Sequence, residues 1–171
     1  MNRYVVLLSV VATATLTAVA SPAKRSPLIR VTSEPTGRLW ATFTVNLHAD
    51  GYVSVQDYDG TKRTKNIGIA KVGALLNRLE KLGFYRITNE SVDNSIQKVT
   101  TKTAQGAPAE VERLLITDCD TSTISVRRGA GTHIVKFYGV EQMAEHYPKA
   151  ADLQILRKAL SEVYKAVGVR R

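Results

Sequence analysis

Residues 114–126 read LLITDCDTSTISV, an apolar run that ends on Asp118-Cys119-Asp120-Thr121-Ser122. Two carboxylates one residue apart at the end of a strand could serve as nucleophile and acid/base of an aspartate-based phosphatase, with Mg²⁺ screening the phosphate. That chemistry requires a loop and a helix after the pair, then a lysine and a further acidic pair. Here TSTISVRRGAG follows, an alternating strand and a turn, and only 53 residues remain after Asp118 (171 − 118). Asp118 and Asp120 therefore read as structural residues at a strand boundary. Their carboxylates are expected to accept hydrogen bonds from backbone N–H groups two positions on, those of Asp120 and Ser122.

Other constellations are weaker. A calcium loop lacks its third acid, glycine and distal glutamate. His48, His133 and His146 are far apart, without the paired spacing of a zinc site. No Gly-x-Ser-x-Gly occurs, so no nucleophilic triad can be nominated. Cys119 is the only cysteine. It reads as a small buried apolar residue or as half of an intermolecular disulfide, because two flanking aspartates raise a thiol's pKa and work against a thiolate. No catalytic residue, metal or cofactor is expected.

The chain that must position these residues has 171 of them, 44% hydrophobic and 23% charged, with a net charge of +9. That suits one globular domain, which at this size buries roughly two-thirds of the unfolded chain's surface. Residues 1–20, MNRYVVLLSVVATATLTAVA, carry one charge and end in the small-x-small pattern of a signal-peptide cleavage site. Cleavage after Ala20 would leave a periplasmic or secreted chain of 151 residues (171 − 20), without a stable membrane span and with a charge of +8 (9 − 1 for Arg3). Such a surface is drawn to anionic envelope components or an acidic protein. Nucleic acid is not expected, because export and the absence of an aromatic-interleaved basic motif both argue against it.

Residues 21–37 hold three of the five prolines and read as a lead-in, with Leu28 to Val31 as an edge strand, before a domain spanning 38–168. Leu39, Ala41, Phe43, Val45 and Leu47 alternate with polar partners, and Val53 and Val55 continue the apolar face beyond Asp50-Gly51. This is a hairpin, with a type I′ turn expected at Asp50-Gly51. A second Asp-Gly, Asp59-Gly60, precedes a short strand around 63–69. Ile69, Val72, Leu75, Leu76, Leu79 and Leu82 then make one helical face, closed by a C-cap at Gly83, with Phe84 and Tyr85 pinning the helix end to a sheet. Residues 86–110 are polar and read as a long loop that could carry binding function. Strands are expected at Leu114–Ile116, around Ile124 and Val126, and at Ile134–Tyr138, followed after Pro148 by a helix with a broad apolar face from Leu153 to Val167. The fold class is α+β, a mostly antiparallel sheet from two strand–hairpin–helix halves with two amphipathic helices packed on it.

In order and spacing these residues resemble a family of exported, mainly bacterial proteins designated domain of unknown function 6438. The resemblance covers about residues 28–166 and rests on Gly37, on Asp50-Gly51 with Val53, on Leu75 to Phe84, on Thr117-Asp118 with Thr121 and Thr123, and on Leu153 onward. The family commonly carries Cys-Pro-x-Tyr in its first strand, where this chain has Trp40-Ala41-Thr42-Phe43, so that cysteine's role has no bearer here. The resemblance implies export and a compact α+β fold, and it supplies no catalytic residues. The expected function is a non-enzymatic exported binding or envelope-associated module. The alternatives are a secreted inhibitor or effector using the loop at 86–110 and, more remotely, an unrecognised hydrolase.

Overall fold

In the structure, a computed structural model, residues 26–36, 41–101 and 118–169 are described. The signal-like segment, Gly37, the expected strand at Leu114–Ile116 and the second part of the 86–110 segment lie outside them. Six strands among the described residues, β1 (Ile29–Glu34), β2 (Phe43–Leu47), β3 (Tyr52–Gln56), β4 (Lys62–Asn66), β5 (Thr121–Arg128) and β6 (Gly131–Tyr138), form one antiparallel sheet in the order β4-β3-β2-β1-β5-β6. Among the described residues four α-helices accompany it: α1 (Ile69–Leu82), α2 (Asn89–Thr101), α3 (Val140–His146) and α4 (Ala151–Ala166). The α+β class expected from the sequence is what forms.

Register explains the core. Val55, Val45, Val31, Ile124 and Val135 lie opposite one another across neighbouring strands, all at or below 5% exposure. A period of two puts every second residue on this face, so β1, β2, β3 and β5 each contribute a row of buried side chains to one layer. To it β6 adds Val135, whereas β4 is polar and exposed throughout. The helices cover that layer. Packed against α1, α2 and α3, α4 buries Leu153, Leu156, Ala159, Leu160 and Val163 in the same core.

Three expectations need correction. Leu28–Val31 is not an edge: β1 lies between β2 and β5 with Ile29, Val31 and Ser33 fully buried, because both neighbours present apolar rows in register with it. The segment expected as a lead-in thus supplies an interior strand. The loop at 86–110 is helical over Asn89–Thr101. Thr88 and Ser91 cap its start reciprocally, Thr88 Oγ1 accepting from Ser91 N at 3.1 Å and Ser91 Oγ from Thr88 N at 2.9 Å. Val92, Ile96 and Val99 then dock on the core at helical spacing. Finally, the turn at Asp50-Gly51 is not type I′. Only Gly51 has positive φ, at 86°; Gly51 N–H donates to His48 O at 3.0 Å and His48 N–H to Tyr52 O at 2.8 Å. This is a three-residue loop closed by a left-handed glycine. Asp59-Gly60 repeats it, with Gly60 at φ 84° and Asp57 N–H donating to Thr61 O at 2.9 Å. In both turns the aspartate Oδ1 accepts the backbone N–H two residues on.

Gly83 has the expected role. At φ 81° it ends α1, its N–H reaching the carbonyls of Glu80 and Leu79. Phe84 follows, fully buried and edge-on to His133 of β6 with centroids 4.9 Å apart. Ile69, expected on the apolar face, is 69% exposed, so the buried stripe of α1 begins at Val72.

Candidate functional site

Asp118, Cys119 and Asp120 lead into β5 at the end of the sheet where Ser33 of β1 pairs with Phe43 and Ser122. Their roles diverge. Asp118 is exposed and, with φ 64°, is the one non-glycine among the described residues in the left-handed region. Aspartate tolerates that conformation better than most side chains. Asp120 points inward: Ser33 Oγ donates to its Oδ2 at 2.7 Å, and the Tyr58 hydroxyl donates to the same oxygen. Tyr58 and Ser33 are themselves 3.2 Å apart. The Gly139 N–H donates to the Asp120 carbonyl at 3.0 Å.

Cys119, 4% exposed, is held between these carboxylates. Its N–H donates to the Tyr138 phenol oxygen at 3.0 Å, and its carbonyl accepts from Thr36 Oγ1. Burial pushes its thiol pKa up, and the charges of Asp120 and Asp118 add to the shift. The thiol is therefore protonated at neutral pH. Asp120 is the polar centre of a junction that ties β1, the β3–β4 turn and β5 together. An antiparallel strand, not a helix, follows it, and its carboxylate faces two protein hydroxyls.

Sequence reasoning named Asp120 but missed the partners that define its role. Tyr58 and Ser33 lie 62 and 87 residues away, and neither has a local pattern that marks it. Asp50-Gly51 and Gly83 are not brought to this junction. The first hairpin turn lies at the opposite end of β2, beyond Leu47, and Gly83 caps α1 on the His133 side. The histidines are likewise separate: His48 rests on Tyr52, His133 on Phe84 and Tyr85, and His146 on Tyr147. Among the described residues no group of three or more His, Cys, Asp or Glu side chains could hold a metal ion.

Beside the junction a groove of about 1220 Å³ runs between α3 and α4. Ser122 and Tyr164 lie in its floor, 8% and 7% exposed. Burial, then the charges of Glu141 and Asp120, pushes the Tyr164 phenol far above its usual range. Arg157 spans the groove from α4 to α3, reaching Glu141 at 2.7 Å and Glu145 at 3.4 Å. Lys158, Ser161 and Lys165 continue along the α4 wall. A smaller depression of about 320 Å³ adjoins it between α1 and α4, sharing Lys158 and Ser161 and adding Arg78 and Lys81.

Among the described residues no helix is long and apolar enough to cross a membrane. No family model matches the chain, and neither a curated protein nor a solved structure matches it.

Proposed function

We propose that this chain is a non-enzymatic exported binding module that associates with anionic components of the cell envelope. The observation that carries the reading is the distribution of ion pairs over a chain of net charge +9. Glu34, Asp57, Glu80, Glu141, Glu145 and Glu162 are each tied to an arginine or lysine. Lys62, Lys65, Lys71, Lys81, Lys158 and Lys165 are exposed and form no ion pair among the described residues. Surface cations without counter-charges raise the potential around the molecule and draw it to polyanions. The carboxylate most suggestive of chemistry, Asp120, is meanwhile engaged by two hydroxyls in a structural junction. The reading takes in export, with cleavage after Ala20, and kinship with the domain of unknown function family 6438.

Association of this kind is electrostatic, weak and salt-sensitive. The test is co-sedimentation of the mature protein with isolated envelope material and with vesicles containing phosphatidylglycerol. Binding is expected at low salt and should be largely released near 0.15 M, where the Debye length is about 8 Å. Absence of binding to either at low salt would sink the reading.

A further inference from the structure

We infer that the groove along α4 is the binding site itself, and that it takes an extended, linear polymer that carries carboxylate or phosphate groups. The inference rests on the reading of the protein as an anion-binding module and assigns it a place.

Lys158, Ser161, Lys165 and Gly168 recur at i, i+3, i+7 and i+10, so they form one stripe along the exposed side of α4 and its C-terminal turn. At 1.5 Å per residue this stripe is about 15 Å long. Other elements extend it at both ends. Lys81 of α1 lies beside Lys158 in the smaller depression. At the far end Lys65 of β4 reaches over Gly168, where an added Cβ would come within 2.7 Å of its Nζ. All of these lysines are exposed, and none forms an ion pair among the described residues.

The acids of the same surface are accounted for differently. Glu141 and Glu145 are held by Arg157, and Glu162 by Arg78 at 2.6 Å. The two arginines thus offset two of these three carboxylates, and with the four lysines the surface keeps a track of net charge +3 (six cations less three acids). A groove with such a track favours a chain that can lie along it. A flat bilayer contacts the rim and cannot follow the floor. Single-stranded nucleic acid fits less well, because its binding sites rely on exposed aromatic platforms, and the aromatic in this floor, Tyr164, is 7% exposed.

The experiment compares the mature wild type with Lys158→Gln/Lys165→Gln and with Lys98→Gln/Lys149→Gln, a control that removes equal charge from exposed sites along α2 and the α3–α4 connection. Affinity is measured at about 0.05 M salt, where exposed charges still interact over more than 10 Å. The probes are alginate (carboxylates), polyphosphate (phosphates) and phosphatidylglycerol vesicles. The groove pair is expected to weaken polymer binding about tenfold, and the control less than about threefold, since each exposed ion contact is modest. The stronger of the two polymers identifies the anionic group recognised. Equal losses from the two pairs overturn the groove but leave the module reading standing. Binding confined to vesicles overturns the polymer. No binding to any probe overturns both readings.

Discussion

Replacing Asp120 with alanine removes the acceptor shared by Ser33 and Tyr58. Ser33 is fully buried, and Asp120 and Tyr58 are half-buried, so water replaces the lost carboxylate only in part. The two hydroxyls, 3.2 Å apart, can still satisfy each other in part, but both lose a charged acceptor. Hydrogen bonds to a charged acceptor are worth about 1.5–3 kcal/mol, and a loss of about 2 kcal/mol applies here. A chain of this size loses about 2–4 °C of Tm per kcal/mol, so Asp120→Ala should melt about 4–8 °C lower. Asp120→Asn keeps an acceptor and should lose less. Asp118→Asn should stay within about 0.5 kcal/mol of wild type: the side chain is exposed, and asparagine adopts the left-handed conformation at φ 64° as well as aspartate does. Thermal unfolding of the three variants, with Ser33→Ala and Ser33→Ala/Asp120→Ala to measure coupling, gives the comparison. Equal losses at Asp118 and Asp120, or no loss at Asp120, would refute the junction. So would phosphate-ester turnover that is present in the wild type and abolished in a stably folded Asp120→Ala.

Gly51→Ala should destabilise by at least about 2 kcal/mol, read as a lower urea midpoint, because an added Cβ would sit 2.7 Å from Gly68 N in a backbone at φ 86°; an unchanged midpoint would show that the turn yields freely. Alkaline pH should erode stability through Tyr164 and Cys119, whose folded pKa values are raised by burial. Their contribution is complete below the unfolded values, roughly 8.5 for Cys and 10 for Tyr, and is lost as pH rises from there toward the folded values. Tyr164→Phe should flatten the fall above about pH 10, and an unchanged slope would mean that other groups govern it.

Local physical chemistry was enough for several elements. The alternation through Phe43–Leu47 and Tyr52–Gln56, the stripe from Val72 to Leu79 and the broad apolar face of α4 each repeat within one turn or one strand pair. Gly83 ends α1 because the left-handed cap is a property of a single residue. Even the Asp-Gly loops were located correctly, although their conformation depended on how many residues the flanking register left unpaired.

What the tertiary structure decided depends on partners far apart in the chain. Ile29–Glu34 looks like an edge until β2 and β5 both bring apolar rows against it. Asn89–Thr101 reads as polar loop because Val92, Ile96 and Val99 gain their energy only by docking on a core built elsewhere. Asp120 is the clearest case: its position at a strand boundary was legible, but Ser33 and Tyr58 reach it from 87 and 62 residues away. The lysine track has the same origin, since Lys81 joins Lys158 and Lys165 only when α1 packs on α4, and Lys65 only when β4 brings it to Gly168. A sequence shows which side chains can pair with charge or hydrogen bonds, and folding determines which of them meet.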